Sequence, residues 1–522
     1  MKRFIFFFAI IFSVNLTTAQ QNIFSKVLFN SDENIQGYSL DSFYDGGYVI
    51  AGDNWWASED GFVLKIDSLG EMEWNRVISK NDNQSDDISF KQVISTYDSS
   101  LLIIGDIYYP LIQKNKGIYL KVDSDGNVIW TRTIEGINNF YLNSISQTND
   151  SGFIVTGKSS VWESRGLVEK VIVFKLNKYA NFCWISEFKS DDDYKYIGFS
   201  VKQVDDTNYM VSGYSEYEGH SFLLKLSGNG SLMWAKRYYK NGAFEYCYIF
   251  DFVFNDTGLV LFGNINQVPT LIQTDSSGII QWVKLYPDLY LDNSANLKIQ
   301  TTADDGFVFV TRDDYSDGFI LKTDSVGNPL FVDELVIKPI GVVETGNSEF
   351  FIVGNGPLAG IMNVKSFTGE IGFIQLDSLG NGGDCVWDLS TSVENDTVLV
   401  ESLSLSPVSG STIIGSESVD VTSVDLNSRN GCVELTWGVD NNSSIKMIKV
   451  YPNPSAGKII VSLVNGEEGQ LEIYNINGQI ILKKPLIKSQ TAIDLTGEVP
   501  GIYFYRFINY NGNVFSGKVV LK

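Results

Sequence analysis

The 522-residue sequence is poor in the residue types on which many enzymes and metal sites depend: it has one histidine, His220, and four cysteines. A single histidine excludes a histidine-rich metal centre, and a Ser-His-Asp triad would have to use His220, which lacks the glycine pattern of a nucleophile elbow. Four cysteines are too few for a disulfide scaffold. Cys385 and Cys432 could still be bridged in an oxidising compartment, while Cys183 and Cys247 either pair or remain thiols.

Basic residues are also scarce, with 39 Lys and Arg against 62 Asp and Glu and a formal net charge of -23. The imbalance is uneven, because residues 446–522 hold nine Lys and Arg against five Asp and Glu. The body before them is therefore strongly acidic and would repel nucleic acid and anionic membranes. Cations, neutral sugars and basic surfaces are the partners that this charge admits; solubility alone is the simpler explanation.

Long apolar runs are absent except at the N-terminus. Lys2 and Arg3 precede an apolar stretch over residues 4–14, and Thr17-Thr18-Ala19 offers small residues before a cut. This pattern predicts a signal peptide over residues 1–19. The stretch is too short to span a bilayer, which takes about twenty residues. No later segment is long and apolar enough, so no transmembrane segment is expected.

The chain is rich in the residues of strands and tight turns: 47 glycines, 33 Phe, 26 Tyr and 10 Trp. Aromatic residues favour strands and glycines favour turns, so an all-β protein is predicted.

One unit recurs between the signal peptide and residue 388. An apolar strand ends in an Asp-Ser-x-Gly-like turn, and an aromatic residue follows the turn glycine by four residues. The clearest copies run from Phe62 to Trp74 and from Ile118 to Trp130. The aromatic anchors are Trp74, Trp130, Trp184, Trp234, Trp282 and Phe331, with a variant seventh copy that ends near Trp387. A period of about fifty residues is typical of β-propellers.

A second, glycine-ended strand lies upstream of each turn. Its copies are Gly47–Gly52, Leu101–Gly105, Phe153–Gly157, Tyr209–Gly213, Leu259–Gly263, Phe307–Thr311 and Phe350–Gly354. Each unit then has four strands, and Phe24–Leu28 aligns with the anchor strand Trp74–Ile78. Four short strands cannot bury both faces alone, whereas a ring of seven blades leaves no long open edge. The prediction is a seven-bladed β-propeller over residues 20–388.

The repeats suggest structural roles for their own motif residues. The anchor aromatics are expected to lie between adjacent blades, and the Asp-Ser-x-Gly segments to form hairpin turns. Asp123-Ser124-Asp125-Gly126 has the spacing of a calcium-loop start but lacks the downstream Glu, so a turn is the better interpretation. The aspartate, turn glycine and tryptophan resemble the blade motif of quinoprotein-type propellers, with a spacing one residue shorter. That resemblance implies a fold and no activity.

The end of the chain carries a different set of motifs: Lys449-Val450-Tyr451-Pro452-Asn453-Pro454, Ile473–Gln479 with Gly478, Val499–Tyr503 with Gly501, and Gly517–Lys522 with Lys518. Their order and spacing resemble the type A C-terminal sorting domain of Bacteroidetes proteins exported by the type IX secretion system. The resemblance implies a small β-sandwich over residues 446–522, recognised at the outer membrane and removed during export or attachment. It also implies that the chain is secreted or displayed on the cell surface.

Residues 389–445 are rich in Ser, Thr, Asn and Val. We expect an extended or lightly structured connector here, with strand pairs around Val398 and Val433.

The face opposite the tight turns collects longer and more varied loops, where binding tends to occur on a rigid scaffold. These loops combine acids with aromatic rings, which suit the apolar faces of sugars. The candidate ligand-binding residues are Trp55, Trp56, Tyr108, Tyr109, Trp162, Tyr214, Tyr217 and Tyr315. The same loops could instead be ordinary solvated segments with their rings packed down.

The sequence therefore predicts a secreted or cell-surface binding or adhesion protein whose partners are the type IX machinery and a glycan or surface protein. The alternative is a propeller glycoside hydrolase or polysaccharide lyase that uses loop carboxylates. A purely structural surface component is a third interpretation. No catalytic residue and no metal site are assigned, and no cofactor is predicted, although carboxylate-rich loops can hold calcium.

Overall fold

The computed structural model describes residues 25–29, 35–54, 60–80, 86–163, 166–190, 195–215, 218–240, 245–291, 297–312, 318–335, 337–357, 370–381, 386–388, 391–403, 405–408, 413–415, 419–422, 427–430, 448–451, 455, 457–463, 469–475, 480–486, 490–499, 501–509 and 514–522. These residues form strands, numbered β1–β42 along the chain, and no helix among them could span a membrane. The predicted signal peptide lies outside this set. The chain divides into two compact units, Met1–Val433 and Glu434–Lys522.

The first unit contains seven antiparallel sheets, each of five strands. One edge of every sheet is a strand that lies close to neighbouring sheets, and we name these the inner strands. They are β2 (Ile35–Ser42), β6 (Asp87–Ser95), β10 (Asn139–Gln147), β14 (Tyr196–Gln203), β18 (Cys247–Asn255), β22 (Ile299–Thr301) and β26 (Ile337–Glu344). Sheets are numbered one to seven in this order.

The second and third strands of each sheet are the glycine-ended strand and the strand before the turn, as the repeats predict. The second strands are β3 (Tyr48–Asn54), β7 (Leu101–Tyr109), β11 (Phe153–Glu163), β15 (Tyr209–Ser215), β19 (Gly258–Ile265), β23 (Phe307–Arg312) and β27 (Phe350–Pro357). The third strands are β4 (Asp60–Ile66), β8 (Lys114–Val122), β12 (Gly166–Leu176), β16 (Ser221–Leu226), β20 (Val268–Thr274), β24 (Gly318–Thr323) and β28 (Glu370–Leu376). Their near-continuous apolar sequence follows from burial on both faces.

The fourth strand of each sheet is the anchor strand that follows the Asp-Ser-x-Gly-like turn. These strands are β5 (Met72–Lys80), β9 (Val128–Glu135), β13 (Phe182–Ser190), β17 (Leu232–Tyr239), β21 (Ile280–Leu285), β25 (Pro329–Leu335) and, in the seventh sheet, β1 (Ser25–Phe29). The sequence repeat begins with the anchor strand, whereas each sheet has the anchor strand as its fourth strand, so the boundaries of sheets and repeats differ by one strand. As a result β1, from the start of the chain, pairs with β28 from the last repeat.

The fifth strands come from residues 386–430, most of which the sequence analysis assigns to a connector. They are β29 (Val386–Asp388), β30 (Glu394–Asn395), β31 (Leu399–Ser402), β32 (Leu405–Val408), β33 (Ile413–Gly415), β34 (Val419–Thr422) and β35 (Asn427–Asn430). β29 pairs with the sixth sheet, and the following strands pair with the fifth, fourth, third, second, first and seventh sheets in turn. We name this segment the belt, because it passes every sheet once along the edge opposite the inner strands.

Side chains anchor the belt as well as backbone pairing. Lys240 Nζ lies 2.7 Å from Asp396 Oδ1, and Arg237 Nη1 lies 3.0 Å from Glu401 Oε1. The Asp288 carboxylate accepts hydrogen bonds from the Ser392 amide at 2.7 Å and from its hydroxyl at 2.9 Å. The exposed edge of each fourth strand is therefore covered by its own chain, which removes a template for edge-to-edge association.

The core lies between adjacent sheets. Each sheet packs on the next along the chain, and the first also packs on the seventh, where the rings of Tyr48 and Phe351 stack with centroids 3.7 Å apart. At the same contact Asn355 accepts from the Gly37 amide at 2.7 Å and donates to its carbonyl at 2.9 Å. These contacts produce a propeller-like arrangement of sheets.

A repeated hydrogen bond joins neighbouring inner strands. In four sheets, a side chain on the inner strand accepts a hydrogen bond from a backbone N–H of the next inner strand. The bonds are Val93 N to Ser39 Oγ (3.2 Å), Ile145 N to Gln92 Oε1 (2.9 Å), Val201 N to Ser144 Oγ (3.4 Å) and Ile299 N to Asp251 Oδ2 (3.2 Å). We name this residue the latch position, since it ties one sheet to the next.

The second unit has two antiparallel sheets. One contains β36 (Ile448–Tyr451), β37 (Lys458–Leu463) and β40 (Gln490–Asp494), and the other contains β38 (Gly469–Tyr474), β39 (Ile480–Leu486), β41 (Gly501–Asn509) and β42 (Val514–Leu521). Buried side chains from both sheets, such as Val461, Ile473 and Phe507, form one core. Two sheets around a common core agree with the small β-sandwich that the resemblance implies.

Candidate functional site

The first unit has one regular and one irregular face. On the regular face, the turn that follows the third strand is closed by an aspartate in five sheets, and Asn177 and Ser227 take its place in the third and fourth sheets. In the first sheet, Asp67 Oδ1 accepts from the amides of Leu69 and Glu71, both at 2.8 Å. Asp123 likewise accepts from the amides of Asp125 at 3.0 Å and Asn127 at 2.8 Å, so its carboxylate closes a turn. The opposite face carries the loops between second and third strands, and we name it the long-loop face.

Two hairpins on the long-loop face have the longest ladders among the described residues. In the third sheet β11 and β12 pair from Phe153↔Leu176 to Glu163↔Gly166, and in the second sheet β7 and β8 pair from Leu101↔Val122 to Tyr109↔Lys114. These ladders have eleven and nine residue pairs, whereas β15–β16 has six and β19–β20 has seven. At about 3.4 Å per residue, the two hairpins extend roughly 7–17 Å beyond those neighbours.

The tips of these hairpins expose apolar side chains. Leu111 is 75% and Ile112 is 64% exposed in the β7–β8 turn, and Trp162 is 76% exposed at the end of β11. Ile137, in the connection from β9 to β10 on the same face, is 82% exposed. We name these four residues the hairpin ridge. Exposed large apolar side chains on one face of a protein are candidates for an interaction site.

The β7–β8 hairpin is fixed to the neighbouring sheet. Asn115 donates from its backbone N–H to Asn139 Oδ1 at 3.0 Å and from its side chain to the Tyr141 hydroxyl at 2.9 Å. Lys114 donates to the carbonyl of Gly136, next to Ile137. The strands below are fully buried at their bases, so the exposed tips stand on a packed support.

The eight sequence-predicted ligand residues fall into three groups. Trp162 is exposed and Tyr108 is partly buried on β7. Tyr109 is 7% exposed, with the ammonium groups of Lys80 and Lys116 over its ring at 4.3 and 4.7 Å, and Tyr214 is 6% exposed within an aromatic cluster. The remaining four, Trp55, Trp56, Tyr217 and Tyr315, lie outside the described residues.

A polar network lies at the inner edge of the first two sheets, below the long-loop face. Asp53 accepts from the Tyr38 hydroxyl at 3.1 Å and from the Ser89 hydroxyl at 2.8 Å, and Lys91 donates to Ser89 at 2.7 Å. The Lys91 ammonium also lies 5.1 Å from the centre of the Tyr38 ring. Burial raises the pKa of Asp53, although the bond from Ser89 and the charge of Lys91 oppose this.

Asp106 is the equivalent of Asp53 in the second sheet, and it is 9% exposed. Its Oδ1 accepts from the Leu142 amide at 2.9 Å. Burial raises the pKa of Asp106 to about 6, against the opposing charges of Lys91 and Lys158. Lys158 in turn lies 3.1 Å from Glu169 and 5.0 Å from the centre of the Tyr141 ring. Most of these polar groups pair with one another, while Oε2 of Glu169 is buried without a hydrogen-bond partner among the described residues. The network therefore supports the hairpins structurally and offers a few hydrogen-bonding groups beside them.

The other chemically notable residues stand apart from this region. Within the described part of the chain no three His, Cys, Asp or Glu side chains come together as a metal-binding group. Cys183 is exposed and Cys247 is buried, both as free thiols, while Cys385 and Cys432 are outside the described residues. His220 lies 5.7 Å from the Tyr239 ring, and burial lowers its pKa.

Sequence reasoning missed the aliphatic part of the ridge. It searched the long loops for aromatic and acidic residues, and so passed over Leu111, Ile112 and Ile137. A signal was present, since an apolar pair directly after Pro110 in a short hairpin turn has no core to enter. The inner-strand residues Tyr38 and Lys91 gave no comparable signal, because their environment depends on the packing of sheets distant in sequence.

In the second unit, the structure places some of the predicted sorting residues. Tyr451 ends β36 opposite Ile460, and Gly501 begins β41 opposite Leu521. Lys518 is exposed on β42. Pro452, Asn453, Pro454 and Gly478 lie outside the described residues.

Solved structures give only distant likenesses. The extracellular domain of a one-component system from B. thetaiotaomicron matches with 10% identity and a TM-score of 0.37, covering 94% of this chain and 58% of that one. PorZ, a surface component of the type IX secretion system of Porphyromonas gingivalis, matches with 9% identity and a TM-score of 0.20, covering 96% and 100% of the two chains. The comparison with curated proteins gave no significant match.

The sequence of the second unit gives a more specific match than these structural likenesses. Residues 449–522 match the family model described as the secretion system C-terminal sorting domain. This match confirms the type IX sorting signal predicted from the motifs around Tyr451, Gly478, Gly501 and Lys518. The chain therefore carries a sorting tail at its C-terminus and is directed to the cell surface or secreted.

Proposed function

We propose that this exported protein is a binding or adhesion protein that holds its ligand at the long-loop face of a closed seven-bladed β-propeller. Seven sheets, each packed on two neighbours, support the blade count. The pairing of β1 with β28 and the packing of Tyr48 on Phe351 support closure, because they join the two ends of the repeat array. Residues 20–388 would then form the ring, with the belt around it.

The hairpin ridge carries the proposal of a binding function. Leu111, Ile112 and Trp162 are exposed by 75%, 64% and 76%, although they stand on strands whose bases are completely buried. Covering such side chains with a ligand recovers hydrophobic free energy, about 1.5–3 kcal/mol for each large side chain. A rigid base adds to this, since little conformational freedom is lost on binding.

The hairpin ridge suits either a glycan or a protein as its ligand, and different residues of the ridge favour each of the two. The flat indole of Trp162 and the predicted rings of Trp55 and Trp56 suit stacking against the apolar face of a sugar. Leu111, Ile112 and Ile137 instead suit the apolar contacts found in the centre of a protein interface. We favour a glycan ligand at Trp162, and a surface protein is the second candidate on the strength of the aliphatic side chains.

The test is to apply the full exported chain to an array of polysaccharides and glycans, and separately to immobilised cell-surface proteins. Retention on a glycan without release of reducing ends supports a glycan-binding protein. Retention on immobilised proteins alone would support a surface protein as the ligand in place of a glycan. Release of sugar fragments would make the chain a glycoside hydrolase or lyase, the alternative predicted from the loop carboxylates, and would overturn a purely binding role.

A further inference from the structure

The latch position holds an exception in the sixth sheet. In the first five sheets this position carries a side chain with an acceptor oxygen, and in the seventh sheet it is Gly341. The five acceptors are Ser39, Gln92, Ser144, Ser200 and Asp251, so the sixth sheet is the one whose latch residue bears a positive charge. In the sixth sheet, Lys298 immediately precedes Ile299, which pairs with Phe309. A lysine ammonium has donors only, so Lys298 cannot accept the backbone N–H that defines the latch. It must therefore do something else at the inner edge.

The side chains around Lys298 form a compact charged group. Asp251, which is 1% exposed, accepts from the Ser200 hydroxyl at 2.5 Å and from the Ile299 amide at 3.2 Å. Its carboxylate also lies 3.0 Å from the Lys202 ammonium. All of its oxygens are thereby engaged, and Lys202 also donates to the carbonyl of Phe252. Asp251 is thus committed to Ser200, Lys202 and the sixth-sheet backbone.

Lys298 itself has no such partner. Among the described residues its ammonium makes no hydrogen bond and lies within ion-pair distance of no carboxylate. The side chain is half-buried, and burial lowers its pKa, with the charge of Lys202 acting in the same direction and that of Asp251 against it. The three donors of this ammonium are therefore left to solvent or to a ligand that supplies acceptors.

The charge count gives the sign of that ligand. Among the described residues, the charges of Lys202 and Lys298 act on one carboxylate, that of Asp251, so these three groups carry one excess positive charge. The Lys202 ammonium lies 5.1 Å from the centre of the buried Phe252 ring, and an apolar neighbour of this kind strengthens electrostatic attraction at the group. A body that is acidic overall would exclude anions except where a local positive group of this kind compensates.

We infer that Lys298 and Lys202, at the inner edge of the fourth to sixth sheets, bind a singly charged oxyanion, most simply the carboxylate of an acidic sugar. One carboxylate neutralises the excess charge and accepts from the unused donors of Lys298. This site is separate from the hairpin ridge, so either can fail without the other.

The test uses the full chain with sodium glucuronate as the probe and glucose as its uncharged counterpart, at constant ionic strength. Glucuronate should raise the unfolding temperature, since a ligand that binds only the folded state stabilises it, whereas glucose should not. Lys298→Met should weaken glucuronate binding about tenfold or more, because a charge-assisted contact is lost. Lys225→Met, which removes the same charge beside Asp205 on the regular face, is the control.

A second measurement needs no variant and so does not depend on whether Lys298→Met folds. Acetylation of the wild-type chain by acetic anhydride is followed at Lys298 and Lys225 by peptide mass spectrometry. Glucuronate should slow acetylation of Lys298 several-fold and leave Lys225 unchanged. Equal reactivity of Lys298 with and without glucuronate, or protection by chloride to the same extent, would overturn the carboxylate site.

Discussion

The indole N–H of Trp74 donates to the backbone carbonyl of Ser124, 2.8 Å away in the turn of the next sheet. Trp184 makes the same bond to Gly228, also at 2.8 Å. The ring of Trp74 lies so close to Gly126 that an added Cβ there would stand 2.9 Å from it. These anchor aromatics therefore join consecutive sheets, and a glycine is favoured at position 126 both by its φ of 83° and by the ring that covers it.

Replacing Trp74 with Phe should lower the free energy of unfolding by about 1–3 kcal/mol, since the hydrogen bond and part of the packed ring are lost. Urea denaturation of the full chain measures this. Trp162→Phe is the matched control, because Trp162 is 76% exposed, and it should leave the stability unchanged. Equal stability of the Trp74 variant and wild type would argue against the inter-sheet role.

The belt predicts a difference between two truncations. A chain that ends at residue 433 keeps all seven fifth strands, whereas a chain that ends at residue 388 keeps only β29 and leaves the fourth strands of the other six sheets uncovered. We expect the longer chain to unfold cooperatively and to stay monomeric. The shorter chain should be less stable and should self-associate, because unpaired strand edges template further pairing. Light scattering during thermal unfolding separates the two cases.

Stability should also depend on pH through Asp106. Burial raises the pKa of this carboxyl to about 6, above the value of about 3.9 in an unfolded chain. The folded state then holds more protons between about pH 4 and pH 6, so stability falls as pH rises through this window, by up to about 3 kcal/mol. Asp106→Asn keeps an acceptor for the Leu142 amide without the charge, and should show a smaller fall.

Asp304 provides the opposite control. Burial acts to raise the pKa of Asp304, but the hydrogen bonds from Lys322 and Thr302 outweigh this effect and hold the pKa at about 2. Its contribution is therefore present at neutral pH and lost as pH falls toward 2. Asp304→Asn should reduce stability at pH 7 and leave the decline between pH 4 and pH 6 as it is in wild type. An Asp106→Asn variant with an unchanged pH profile would contradict the assigned pKa.

Deleting residues 434–522 should block export. The removed segment contains the entire match to the sorting-domain family and all strands of the second unit. Because the first unit keeps its own core and the belt, we expect it to accumulate inside the outer membrane in a folded, protease-resistant form. Cell fractionation with an antibody to the first unit reads the outcome. Normal appearance of the truncated chain in the medium or on the surface would contradict the role of the tail.

The sequence predicts the middle of each sheet well. Second and third strands such as Leu101–Gly105 and Ile118–Val122 are continuous apolar runs bounded by turns, and local patterns of this kind suffice to identify them. The turns of the regular face are predicted equally well, because the Asp-Ser-x-Gly pattern, as in Asp67 to Gly70, is a local signal for a hairpin turn. The sorting tail was identifiable because its motifs are short, ordered and specific.

Other features depend on long-range pairing and so escape local patterns. The belt strands are two to four residues long, as in Glu394–Asn395, and each is defined by the edge that it meets rather than by its own periodicity. The sequence around Tyr109 and Tyr214 is typical of exposed loops, yet both side chains are buried by the packing of adjacent strands. The position of Lys298 at the latch becomes recognisable only after the inner strands are aligned in three dimensions.

The most direct test of the account is ligand retention by matched surface variants. The full chain is compared with a Leu111→Ser, Ile112→Ser, Trp162→Ser triple variant and with Leu379→Ser, which alters a side chain of 75% exposure on the regular face. We predict that the triple variant folds normally and loses retention on the glycan or surface protein that holds the wild type, whereas Leu379→Ser retains it. Equal retention by the triple variant and the wild type, or retention of neither on any glycan or surface protein, would contradict binding at the hairpin ridge.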